Sequence, residues 1–582
     1  MGIPLVLLIA VVAWVGVRAY LAKGELEAAL PLAAQIQAQV VAGDGGTAQT
    51  TARALSDRSS SAAALTSDPV WRAFEGIPLL GPNLTVVRQL AAATDDIAQR
   101  AVVPLAKIAG TISLSDFKPL NGAINLKPMT DAQPQIDAAD ATLADVKQRV
   151  DAIDTTDTLS VVTSAAAKLS ASVDKAAAAV NTLDRAVRVV PTMLGASGPR
   201  NYIVLFQNPA ELRASGGIPG ALALIHTENG AITLAQQASS ADFPHYKEPV
   251  LPLPTETRGI YGDIVGEYIQ DVTLTPNFPL AASLAREMWK RQFGVEADGV
   301  ISIDPVALSY LLKATGPITL ATGDVLTADN AVQLLLSDVY ARYKKPADQD
   351  KFFAAAASSV FSAVAGGDAD PMKLIEALGQ AGAERRVLVW SAHDADQAIL
   401  ADTTLAGGLP VSDPDTTRFG VYLNDATGAK MDSYLKVQVA LGQTVCRQDA
   451  RPYFAVTLTM TNTAPTDAAT SLPEYVTGGG AFGVKTGNVK TIVSVYGSTD
   501  MQNLGVMRNN AVIGYHPATD STYPVSASSV ELAPGESTVI TFGWLGGTPF
   551  AGDAAAQITP GTSQVIATKA PSSCDSVLWP QP

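Results

Sequence analysis

Cysteine and histidine are scarce: the 582 residues carry two Cys, Cys446 and Cys574, and four His, His226, His245, His393 and His516. Two distant cysteines cannot build a tetrahedral zinc site alone. Histidines this scattered offer no ligand spacing and read as surface or packing residues. Aromatic residues make up 6% of the chain and charged residues 16%. Lys and Arg number 40 against 55 Asp and Glu, a net charge of −15 that repels nucleic-acid phosphate and disfavours nucleic acid as a partner. G-x-S-x-G, the P-loop and H-E-x-x-H are absent, which removes the usual signatures of serine hydrolases, nucleotide hydrolases and zinc proteases.

What the chain has is apolar residues, 47% of the total, enough for several buried cores. A prior of about 150 residues per domain gives three or four domains. The run Ile3–Val17 (IPLVLLIAVVAWVGV), with Arg18 and Lys23 snorkelling, reaches the roughly 20 residues that span a bilayer. No A-x-A pattern follows, so residues 1–22 are expected to be a transmembrane anchor, a single membrane pass.

Residues 23–195 are expected to form an all-α stalk or bundle. Asp137–Asp154 and Ala165–Val187 place apolar residues at helical spacing, and Gly76-Ile77-Pro78 with Gly81-Pro82 marks a turn. Residues 196–415 alternate buried strands (Tyr202–Phe206, Ala221–Thr227, Gly299–Asp304) with helices (Leu280–Phe293, Val306–Thr315, Thr327–Tyr343), the pattern of an α/β domain. Residues 416–582 repeat β-branched and aromatic residues at alternate positions, as in FGVYLN and STVITFGWLG, and predict a C-terminal antiparallel β-sandwich. In an exported chain Cys446 and Cys574 could close one disulfide; two unrelated buried thiols are the alternative.

The segment Gln207–Ile225 (QNPAELRASGGIPGALALI) is the most unusual. A loop carrying Asn208, Glu211 and Arg213, then Gly216 and Gly217, runs between two buried strands. Glycines there admit a close ligand, and Arg213 could grip an anionic oxygen in bidentate fashion. The competing reading is a tight connection in which Arg213 and Glu211 pair structurally.

On the strings NYIVLFQNPAELRASGGIPGALALI, NFPLAASLAREMW, DGVISIDPVALSYLLKATGPI, LTADNAVQLLLSDVY and NDATGAKMDSYL, essentially the whole chain resembles the bacterial, mainly actinobacterial, domain of unknown function 4012. That resemblance implies a membrane-anchored protein associated with envelope or exopolysaccharide genes, with no activity to carry over. Residues 200–365 also resemble, more weakly, the LytR-CpsA-Psr phosphotransferases, which move glycopolymers from polyprenyl-pyrophosphate carriers. The second resemblance implies that Arg213 and Arg342 clamp a pyrophosphate while carboxylates hold Mg²⁺, with Asp242, Asp348 and Asp350 as metal candidates.

The motifs depart from that family. Asn208 and Glu211 stand in for its first acidic residue, Ala214-Ser215-Gly216 follow the arginine, and Lys344 replaces the second arginine of the pair. Lys does not match Arg at a bidentate site.

The expected architecture is multi-domain and membrane-anchored: anchor, helical stalk, LytR-CpsA-Psr-like α/β domain and β-sandwich. The expected function is a non-cytoplasmic, membrane-anchored envelope protein involved in handling or assembly of envelope or exopolysaccharide glycans, lipid-linked or polymeric, without proven catalysis. The alternative is an Mg²⁺-dependent phosphotransferase acting on polyprenyl-pyrophosphate-linked glycopolymer.

Overall fold

A computed structural model describes residues 2–112, 114–120, 122–367 and 369–575, which divide into two compact units at Gly198/Pro199. The first unit is helical. Its long elements are α1 (Gly2–Val41), α2 (Gly45–Thr66), a helix from Gly81 to Ala109, and the pair Lys127–Asp151 and Ser160–Met193. The third helix passes through a π turn at Ala98–Val102 just before Pro104, which has no N–H for the regular ladder.

The expected transmembrane anchor is corrected. Among the described residues, no helix is long and apolar enough to cross a membrane. The helix α1 runs unbroken past residue 22 to Val41, so no boundary separates an anchor from a stalk. Within the expected span, Val15 and Ala22 are buried, and Val15 packs with Trp71 and Leu84. Arg18 donates to the Leu65 carbonyl at 3.1 Å and pairs with Asp68 at 3.4 Å. One face of this stretch therefore serves helix packing. The side chains of residues 3–11, where the apolar run begins, lie outside the described residues.

The second unit contains a mixed five-stranded sheet. β1 (Arg200–Arg213), β2 (Gly216–Glu228) and β3 (Ala231–Ser239) are consecutive antiparallel strands; β4 (Gly299–Ile303) lies parallel to β1, with strand Val387–Ser391 antiparallel at its edge. Asn229 (φ 49°) and Gly230 (φ 82°) supply the two positive φ values of a tight β2–β3 hairpin. The crossover to β4 carries helix Phe278–Phe293, whose Phe278, Leu284, Met288 and Trp289 cover Ile203, Leu205 and Val300. The Gly294 left-handed cap (φ 73°) ends that helix.

Between β4 and Val387–Ser391 lie helices such as Pro305–Thr315 and Pro346–Ala365 around a small core of their own, and the C-terminal part of this unit is a two-sheet sandwich. Phe419, Val421, Phe454, Leu458, Val493, Phe542 and Trp544 fill the space between its sheets. The expectation of a wholly antiparallel sandwich is corrected at the chain's end. Asp553–Ile558 joins Thr416–Asp425 in parallel, and Thr568–Ala570 joins Leu435–Thr444 in parallel. Beside the second of these edges Cys446 and Cys574 form a disulfide spanning 128 positions of sequence.

Candidate functional site

The candidate site grows from the end of β1, where a hairpin returns the chain into β2 with Arg213 opposite Gly216. The glycines serve this turn. A Cβ on Gly217 would strike the Asn208 carbonyl, and one on Gly216 (φ 139°) would strike the Gln207 side chain. Their freedom lets two strands approach each other.

Arg213 is buried and engaged on several sides. Its Nη2 stands 3.1 Å from Glu211 Oε1 and 3.2 Å from Asp271 Oδ1, and its Nη1 donates to the Leu212 carbonyl at 3.1 Å. Glu211 takes its second cation, Lys430, from the sandwich, and the Lys430 ammonium donates to Glu211 Oε2. Asp432 accepts from the Leu212 N–H at 2.7 Å, and Asn424 accepts from the Ala214 N–H at 2.8 Å. The end of β1 is thus pinned to segment 424–432 by buried charge-assisted contacts.

The protonation states follow from the surroundings. Burial pushes the Glu211 carboxyl up, but Lys430 and Arg213 outweigh it and hold the pKa below its ordinary value. Burial raises Asp271 despite Arg213. Burial and then Glu211 raise Asp425, while burial and then Asp425 raise Asp432 well above the carboxylate range. Arg213 and Lys430 therefore share Glu211, with Asp271 as a second partner for Arg213, while burial disfavours the charged form of Asp432. A buried network of this kind fixes two parts of a fold together, with Arg213 Nε and Asp432 Oδ1 left unpartnered within it.

The other sequence-picked residues scatter. Asn208 donates to the Tyr340 hydroxyl, whose pKa burial pushes up to about 12. Arg342, two positions on, is exposed and pairs with Asp324 at 2.6 Å, so it does not share an anion with Arg213. Lys344 has no ion pair among the described residues, and Asp348 pairs with Lys351 at 3.4 Å. Asp242 and Asp350 do meet: Asp242 accepts from the Ser239 N–H at 2.7 Å and Asp350 from its hydroxyl at 3.1 Å. Among the described residues no group of three or more His, Cys, Asp or Glu could hold a metal ion. The clamp with its Mg²⁺ carboxylates is therefore not assembled by these residues. Asp271, Asp425, Lys430 and Asp432 were not among the sequence candidates, although NDATGAKMDSYL holds the last three of them.

Residues 197–340 match the family model described as Protein of unknown function (DUF4012), the family that the motifs resemble. The match begins just before β1 and ends at Tyr340, so it covers the four numbered strands and the helices between them. No curated protein matches the chain.

Proposed function

We propose that this chain is a non-catalytic binding or assembly protein of the cell envelope, working outside the cytoplasm on lipid-linked or polymeric glycan. The observation that carries the non-catalytic reading is the state of Arg213. A pyrophosphate clamp needs an unengaged guanidinium, whereas Arg213 is buried between Glu211 and Asp271. The Cys446–Cys574 bridge supports an oxidising compartment, since structural disulfides persist mainly outside the cytosol. The envelope and glycan assignment rests on the genes with which the resembled family is associated.

The test combines two assays on the full chain. In the first, polyprenyl-pyrophosphate-linked glycan and Mg²⁺ are supplied with cell-wall acceptor, and transferred glycan is sought by mass spectrometry. In the second, the chain is cosedimented with isolated envelope polysaccharide. Cosedimentation without transfer supports the proposal. Transfer above a no-protein control overturns the non-catalytic reading, and failure to bind any envelope glycan overturns the glycan assignment.

A further inference from the structure

The helical unit holds a cavity of about 710 Å³, open to solvent, between the first half of α2, the end of the Gly81–Ala109 helix and the start of the helix Lys127–Asp151. Cavities of roughly 300–1,000 Å³ are the size that takes a small-molecule ligand. The packing of the bundle leaves this space. A Cβ on Gly45 would strike the Ala109 carbonyl, so α2 starts hard against the end of the Gly81–Ala109 helix. Two separate apolar clusters reach the gap from different sides. Val103 packs against the cluster of Ala52 and Leu55, whereas Ile108 and Ile112 pack against that of Ala132 and Ile136.

The wall is apolar and incompletely covered. Val103, Pro104, Ile108 and Ile112 all line the cavity, and each is only half-buried. Apolar surface left wet in a concave space gains free energy when an apolar ligand covers it.

The opening is cationic. Arg53, Lys107 and Lys127 line the same cavity and are exposed, which puts them on its open side. These three cations meet one carboxylate, Asp131, in a chain where 55 acidic residues outnumber 40 basic ones. Asp131 is already engaged by Lys127 at 2.7 Å. Arg53 and Lys107 have neither a carboxylate nor a side-chain hydrogen-bond partner among the described residues. The charge at the opening is therefore the reverse of the chain's own, and two of its cations are uncommitted.

We propose that this cavity binds an anionic amphiphile. A single acyl or alkyl chain covers the wall from Val103 to Ile112, and its carboxylate or phosphate head meets Arg53 and Lys107 at the opening. An uncharged chain would leave both cations unpaired, and a bare anion would leave the wall wet. This inference goes beyond the proposed glycan function and does not rest on it, because none of the lining residues belongs to the network around Arg213.

Calorimetric titration of the full chain with laurate and with dodecyl phosphate, each below its micelle concentration, tests it. Inorganic phosphate serves as the head alone and dodecyl maltoside as the chain without charge. Saturable heat is expected with laurate, dodecyl phosphate or both, and which of them binds identifies the head group. Affinity should rise with chain length from octanoate to laurate, by up to about fourfold for each methylene. The double variant Arg53→Gln, Lys107→Gln should bind about tenfold more weakly. Its ligand-free melting temperature should stay that of wild type, since both side chains are exposed and partnerless. Four results would each overturn the proposal: no saturable binding of either amphiphile by wild type, affinity indifferent to chain length, equal binding of inorganic phosphate or dodecyl maltoside, or unchanged affinity in the double variant.

Discussion

Arg213 Nη2 and Asp271 Oδ1 lie 3.2 Å apart, and the same nitrogen reaches Glu211 Oε1 at 3.1 Å, so this guanidinium holds structure. Removing it leaves the half-buried Asp271 without its cation and Glu211 with Lys430 alone. Arg213→Ala should therefore cost about 3–5 kcal/mol of folding stability, the usual penalty for breaking a buried ion pair from one side. Chemical denaturation followed by far-UV circular dichroism measures it. A variant as stable as wild type would contradict this role and restore Arg213 as a candidate ligand group.

Asp432 gives the same network a pH dependence. Burial first, then Asp425, lifts its pKa well above the ordinary 3.8. Between those two values the folded chain keeps the proton that the unfolded chain has released. Folding therefore takes up a proton, and stability falls as pH rises through that window. Asp432→Asn keeps an oxygen to accept from the Leu212 N–H, a bond of 2.7 Å in wild type, and cannot ionise. It should be more stable than wild type at neutral pH and match wild type below the carboxylate range. Melting temperature against pH for both proteins checks it; parallel curves would sink the idea.

Much of this second unit is legible in the sequence because burial on both faces leaves continuous apolar runs. Tyr202–Phe206 and Ala221–Thr227 lie within β1 and β2, and Gly299–Asp304 overruns β4 by one residue, Asp304, which caps the next helix. β3 was not picked out because polar Gln236 and Gln237 interrupt its pattern, and Val387–Ser391 because its run is short and follows two arginines. The site residues are harder to read. Glu211 and Arg213 stand out locally, but Asp271 lies 58 positions from Arg213, and Lys430 lies 219 from Glu211. No local pattern reports such pairings. The available clue was chemical: NDATGAKMDSYL holds three charged residues, Asp425, Lys430 and Asp432, all of them buried, and buried charges need partners.

The Cys446–Cys574 bridge ties the last described strand to the sandwich. Thr568–Ala570 pairs with Ala440–Gly442, only a short edge ladder, so the covalent link carries much of its attachment. A bridge closing 128 positions of sequence limits the unfolded chain by about 5 kcal/mol in the chain-entropy treatment. Reduction, or replacement of both cysteines by serine, should lower stability by up to that amount and expose the C-terminal segment to protease. Denaturation midpoints with and without reductant, together with the mass of the first proteolytic fragment, check both parts. An unchanged midpoint would mean that the edge pairing suffices.

The packing role of α1 is testable by contrasting two nearby valines. Val15 is 4% exposed and meets Trp71, which is fully buried and whose indole N–H donates to the Leu84 carbonyl at 3.1 Å; Val17 is 58% exposed. Val15→Asp puts an unpaired charge into an apolar contact, which costs several kcal/mol unless the group stays protonated. Trp71→Ala, which empties the same contact, should cost about 3–5 kcal/mol. Val17→Asp, facing away, should shift stability by no more than about 0.5 kcal/mol. Helical circular dichroism during thermal unfolding reads all three. If Val15→Asp and Val17→Asp were equally tolerated, α1 would not be packed at Val15, and that apolar stretch would need another explanation than the helix contact with Trp71 and Leu84.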